Sequence, residues 1–159
     1  MRKILITGVS GFVASHFCEH WLKKYPYDQI HGNARSKPDW NWMEASIKDA
    51  VVFHGTDLLN WDKTCEILDS VRPDLILHLA SFSSVAYSWQ HPIESFLNNT
   101  NIFLNVLEAV RIKHVDCKVL SVGSSETYGI VTANQLPLKE DLFPNPQSPY
   151  AVARVAQEK

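Results

Sequence analysis

A chain of 159 residues lies in the size range of one domain with its own core. With 45% hydrophobic and 20% charged residues and a net charge of -2, the composition excludes a disordered or fibrous protein. No Lys/Arg run exceeds two residues, so neither nucleic acid nor an anionic membrane is an expected partner.

The first element is the apolar run Ile4-Leu5-Ile6, which follows two basic residues and is cut off by Thr7-Gly8. It is too short for a signal peptide or a membrane span and reads as a strand. Val13, Phe17 and Trp21 then repeat at helical spacing, and a weak apolar run near Ile30 marks a second strand. Lys37 to Asp49, with Pro38, Trp40 and Trp42, reads as an irregular excursion whose tryptophans serve loop packing. Val51-Val52-Phe53 is the third strand, and Trp61, Cys65, Leu68 and Val71 form a helix that Arg72-Pro73-Asp74 stops. Leu75 to Leu79 is the fourth strand, Phe96, Phe103, Leu107 and Val110 mark another helix, and Val119 to Val122 is the fifth strand. Pro137 to Pro149 holds four prolines and reads as a surface loop. Ser148 as cap and Pro149 at the first helical position then start a helix over Tyr150 to Lys159.

Continuously apolar strands alternating with helices predict an α/β fold: a Rossmann-type doubly wound parallel sheet of about five strands with helices on both faces. The last helix meets no cap and no following strand. The expectation is therefore that residues 1–159 are the N-terminal part of a longer protein, a truncated domain. Cys18, Cys65 and Cys117 are odd in number and far apart; they are expected as small apolar residues in or near the core, in a reducing cytoplasm. His16 and His20 lack a third ligand and are assigned to helix surface, and no metal is expected.

Thr7 to Ala14 lies between the first strand and the first helix, with glycines at Gly8 and Gly11. Glycine permits a tight turn and close approach of backbone to a pyrophosphate, and the helix N-terminus offers unpaired N–H groups and partial positive charge. Thr7 to His16 resembles the TGxxGFxGxH opening of the extended short-chain dehydrogenases, the family of nucleotide-sugar epimerases, dehydratases and reductases; Ala14 stands where the family usually has its third glycine. The resemblance implies a nicotinamide dinucleotide held by Gly8, Ser10, Gly11, Phe12 and Val13. NAD-using members carry an acid at the end of the second strand. Here Asn33 is followed by Ala34, Arg35 and Ser36, and Arg35 can pair with a 2′-phosphate, so NADP is favoured and NAD remains possible. Asp57-Leu58 resembles the adenine-contacting pair, Leu79-Ala80-Ser81 the segment beneath the coenzyme, and Asn99 the family's helix asparagine, although Ile102-Phe103 replace the usual Gly-Thr. Val122 completes the implied coenzyme set.

Gly123-Ser124-Ser125-Glu126 follows the fifth strand, and Tyr150 and Arg154, four residues apart, share one helix face. Ketone reduction needs hydride on carbon and a proton on oxygen. A phenol holds its proton at neutral pH and can release it to a developing alkoxide beside a cation, and a serine hydroxyl can hold the same oxygen. The resemblance gives these roles to Ser124, Tyr150 and Arg154, with Tyr150 and Arg154 also touching coenzyme. Arginine replaces the family's lysine; it keeps the charge but cannot relay a proton, which a reductive step tolerates better than an oxidative one.

Ser83-Ser84-Val85, Ser124-Ser125-Glu126 and Ser148-Pro149-Tyr150 resemble the GDP-sugar branch of the family, which implies Ser83, Ser84, Val85, Ser125 and Glu126 as substrate-binding. Two activities follow: reduction of the 4-keto group of a GDP-6-deoxy-hexulose to a GDP-rhamnose-type product, or GDP-mannose 4,6-dehydration with Glu126 as base. A nucleotide-binding protein without catalysis is a third reading, prompted by Arg154. The resemblance also implies a homodimer through helices 95–111 and 149–159, and a sugar-gripping region in later sequence, without which residues 1–159 are expected to be inactive.

Overall fold

Ile4 and Ile6 point to one side of the first strand and Leu5 to the other, and each side has its own partners. In the computed structural model, which describes residues 1–37, 39–40 and 43–159, this alternation divides the core into two clusters. The chain forms two compact units. One comprises Met1–Ala80 with Ile102–Val122, the other Ser81–Asn101 with Gly123–Lys159.

The first unit holds the sheet. Its strands are β1 (Lys3–Thr7), β2 (Gln29–Ala34), β3 (Val51–Gly55), β4 (Leu75–His78) and β5 (Lys118–Ser121). They are all parallel in the order β3-β2-β1-β4-β5, with Ile4 in register with both Ile30 and Leu75. The helices of this unit are α1 (Phe12–Lys24), α2 (Ala45–Ala50), α3 (Trp61–Val71) and the part of α5 (Pro92–Ile112) from Ile102 onward. Ile4, Ile6 and Leu77 pack with Ala14 and Cys18 of α1 and Ile47 of α2. Leu5 and Ile76 pack with Ile67, Leu68 and Val71 of α3 and with Ile102, Val106 and Ala109 of α5. A sheet covered on both faces explains why its strands read as continuous apolar runs.

Cys18 lies in the first cluster, where burial pushes its thiol up to about 12, while Cys65 and Cys117 pack at the margin of the second. Asn60 caps α3 by accepting from the Lys63 N–H, and Arg72 ends it in the left-handed region at φ 48, as the Arg-Pro-Asp stop predicts. His16 and His20 are exposed on α1.

The excursion over Lys37 to Asp49 requires a correction. Its second half, Ala45-Ser-Ile-Lys-Asp-Ala50, has no glycine or proline and folds as α2, with Ile47 buried against the sheet. Trp40, 2% exposed, belongs to the same core cluster, so the segment covers the sheet and does not merely loop over it. Pro38 and Trp42 lie outside the described residues.

The second unit contains α4 (Val85–Gln90), the first half of α5, single 3-10 turns at Ser125–Tyr128 and Ala133–Gln135, and α6 (Pro149–Glu158). α6 packs against α4 and against the Ser125–Tyr128 turn. Its start follows the sequence signal, with Ser148 Oγ accepting from the Ala151 N–H at 3.1 Å. α4 is a helix that hydrophobic spacing did not reveal, because one and a half turns carry too few apolar positions to show a period. Helix α5 begins at Pro92, three residues before the expected 95. No helix among the described residues is long and apolar enough to cross a membrane.

Candidate active site

The turn after β1 lies where the strand order changes direction, between β1 and β4, the position at which open α/β sheets take ligands. Gly8 has φ +71, and a Cβ there would meet the Ala80 backbone nitrogen at 2.7 Å. Any side chain would therefore be both strained and obstructed. Gly11 closes the turn by donating its N–H to Gly8 O at 3.0 Å. α1 then begins with Gly11 as N-cap, no side chain bonded there and no acid in its first turn. Ser10, Gly11, Phe12 and Val13 are exposed, so the helix presents backbone N–H groups and the positive end of its dipole to solvent, a site suited to phosphate. Ala14, in place of a third glycine, is fully buried, and its one extra methyl is absorbed by the core. Thr7 Oγ1 bonds His78 Nδ1 at 2.8 Å and accepts from the Ala80 N–H at 3.3 Å, tying the ends of β1 and β4 together.

At the ends of β2 and β3 the assigned residues separate into inward and outward groups. Asn33 is 2% exposed and its amide donates to His54 O and Thr56 O, so it braces the two strands. Leu58 turns its side chain into the core, while its carbonyl accepts from Thr64 and Asn105. Ala34 is buried as well. Arg35, Ser36 and Asp57 are the exposed groups, Asp57 Oδ1 accepting from the Leu59 N–H at 2.9 Å. Leu79 is partly buried against the core, and Val122 is exposed, its N–H reaching His78 O at 3.4 Å as an extension of the β4–β5 ladder.

In the second unit the tyrosine and the cation meet as their spacing predicts. Arg154 Nε donates to Tyr150 OH at 3.1 Å, and both residues are buried, at 5% and 7% exposure. Arg154 Nη2 donates to Ser81 Oγ at 2.8 Å, and Nη1 donates to Gln157 Oε1 at 2.8 Å. Asn99, fully buried, clasps the backbone of Phe82: its Oδ1 accepts from the Phe82 N–H at 2.8 Å and its Nδ2 donates to Phe82 O at 3.1 Å. The asparagine thus fixes the segment that carries Ser81. Gln157 was not singled out from sequence, although it sits three residues after Arg154 on the same helix; Phe82 offered no signal at all.

Ser124 caps the 3-10 turn, its Oγ accepting from the Glu126 N–H at 3.2 Å, which leaves its hydroxyl hydrogen to donate elsewhere. Ser125 and Glu126 are exposed in that turn. Of the residues assigned to substrate, Ser83 is exposed and Val85 half-buried, while Ser84 caps α4 by accepting from the Tyr87 N–H at 3.1 Å. Chemically, a phenol oxygen that accepts a hydrogen bond from a guanidinium can direct its own proton to an acceptor, and negative charge developing on it has an adjacent cation.

The family model described as GDP-mannose 4,6 dehydratase matches residues 5–159. The chain is 29% identical over 157 residues to a GDP-6-deoxy-D-mannose reductase of Pseudomonas aeruginosa, covering 99% of this chain and 45% of that one. It is 31% identical over 165 residues to a GDP-mannose 4,6-dehydratase of Yersinia enterocolitica, covering 98% and 43%. It matches the solved structure of RMD from Pseudomonas aeruginosa complexed with NADPH at a TM-score of 0.74 and 27% identity, covering 99% of this chain and 46% of that one. The chain spans somewhat less than half the length of the relatives it matches. On the match over residues 5–159, and with the opening motif Thr7 to His16, the chain belongs to the GDP-mannose 4,6 dehydratase family of extended short-chain dehydrogenases.

Proposed function

We propose that the complete protein reduces the 4-keto group of a GDP-6-deoxy-hexulose, using NADPH with NADH as a possible substitute. The observation that carries this reading is the buried pair in which Arg154 Nε donates to Tyr150 OH. An arginine does not deprotonate, so the pair suits delivery of a proton from phenol to a developing alkoxide better than a relay that must first empty the phenol. In this reading the glycine turn and the start of α1 take the pyrophosphate, exposed Arg35 and Ser36 face the adenosine 2′ position, and Ser124 donates to the carbonyl oxygen being reduced. The Pseudomonas aeruginosa reductase supports the substrate class, and the NADPH-complexed RMD supports the coenzyme.

A second reading, GDP-mannose 4,6-dehydration, is favoured by exposed Glu126 beside Ser124 and by the Yersinia enterocolitica relative. Glu126 would remove the proton next to the new keto group. Incubating the complete protein with GDP-mannose and no added reductant separates the two. The reductase reading expects no reaction until a GDP-linked 4-keto sugar and NADPH are supplied. A 4-keto product formed without net coenzyme consumption overturns it in favour of dehydration. NADPH binding with no turnover of any GDP-linked keto sugar leaves a coenzyme-binding protein without catalysis, the reading that Arg154 prompts.

The same proposal includes a cytoplasmic homodimer. Ile93, Leu97 and Val152 are exposed apolar residues, and with Pro92, Phe96 and Pro149 they line an apolar groove on α5 and α6. These are the helices, 95–111 and 149–159, through which pairing is expected.

A further inference from the structure

The guanidinium of Arg154 is planar, so pointing Nε at Tyr150 OH requires the whole plane to be set. Each of the three nitrogens has a defined acceptor: Tyr150 OH, Ser81 Oγ and Gln157 Oε1. Gln157 is itself anchored, because its Nε2 donates to the backbone carbonyl of Asn99 at 2.7 Å. Only one amide orientation satisfies both neighbours. Arg154 can only donate and the Asn99 carbonyl can only accept, so the glutamine oxygen must face the arginine. The contacts close a ring. Arg154 bonds Ser81; Ser81 is followed by Phe82, whose backbone Asn99 clasps; Asn99 holds Gln157; and Gln157 returns to Arg154.

We propose that Gln157 is a positioning residue that orients the Arg154 guanidinium so that its Nε addresses the Tyr150 oxygen, allowing an arginine to serve at a position where a point-charge ammonium would need no such guidance. The inference rests on the reductase reading for its kinetic consequence but on the hydrogen-bond ring for its geometry. A lysine ammonium has three rotatable donors and no plane to set, so its dependence on residue 157 should vanish.

The test is a double-substitution cycle in the complete protein, read by steady-state kinetics and by the Nε–H resonance of Arg154, assigned by its loss in Arg154→Lys. Gln157→Leu is expected to lower kcat roughly ten-fold or more with KM for NADPH little changed, since a small misplacement of a reacting group costs rate and not binding. The same substitution in the Arg154→Lys background is expected to be near neutral. Gln157→Glu keeps an acceptor for Arg154 but loses the donor to Asn99, and should fall between wild type and Gln157→Leu. An equal loss in both backgrounds marks a purely structural role and overturns the proposal, as does no loss in the wild-type background. If the wild-type protein turns over no GDP-linked keto sugar, the functional reading fails by itself and the resonance decides. A slowly exchanging Nε–H in wild type that exchanges rapidly in Gln157→Leu supports the ring; an unchanged resonance overturns it.

Discussion

The two units are built by different physics. The sheet unit is held by apolar side chains on both faces of five parallel strands, with Ile4, Leu5, Ile6, Ile30 and Ile76 at or near zero exposure. In the unit that carries Tyr150, buried polar residues are prominent: Arg154, Asn99, Ser95, Ser88, Thr127 and Ser148. Apolar burial is nondirectional and tolerates exchange at similar volume, whereas a hydrogen-bond ring requires each member in place. The difference implies that the first unit sets stability and the second sets geometry.

Three measurements test that contrast. The largest effect is expected for Tyr150→Phe, which keeps the ring and its packing but removes the proton donor. Turnover of the folded protein should fall by roughly 10²–10⁴-fold, while the thermal midpoint falls modestly because the buried Arg154 Nε–H loses its acceptor; retained turnover would remove the tyrosine from the chemistry. Leu5→Ala is the reverse case. It opens a cavity between β1 and α3, and urea denaturation should show a loss of about 2–5 kcal/mol, with kcat of the folded fraction preserved. A loss of kcat at full folding would mean that the units do not divide stability from geometry as described.

The smallest effect concerns His31 and His54, paired across β2 and β3 at 3.0 Å between Nδ1 and Nε2. Burial holds both imidazoles below the ordinary histidine range, and the charge of His54 adds to this at His31. With the folded pKa depressed, the unfolded chain takes up the proton first. The pair's contribution is therefore complete above the ordinary imidazole value of about 6.5 and is lost as the pH falls through it toward the lower folded value. The thermal midpoint should drop on acidification from about pH 7.5 to pH 5.5, and His54→Gln should flatten that drop; an unchanged slope would show that the pair carries none of it.

Much of this was legible in sequence because it is local. The five strands, the stop at Arg72-Pro73, the cap at Ser148 and the meeting of Tyr150 with Arg154 all depend on residues within one turn of one another. What sequence did not show are the side-chain partners that lie far along the chain. Asn33 and Leu58 lie at assigned coenzyme positions yet turn inward, because the carbonyls of His54 and Thr56 and the core against α3 and α5 are better partners than water. Gln157 was missed because its anchor, the Asn99 carbonyl, lies on another helix.

The order of the five strands and of the four longer helices, and the stock of reactive groups, were readable from sequence, since periodicity, glycine turns and helix caps act through neighbouring residues. Which of several equivalent groups does what depends on contacts between distant parts of the chain. Ser81 meets Arg154 while Ser84, three residues later, caps α4, although both are serines in one short stretch. The reason is that a hydroxyl takes whichever partner space brings within about 3 Å, and that choice is made by Asn99 gripping Phe82 from seventeen residues away, a contact no local rule contains.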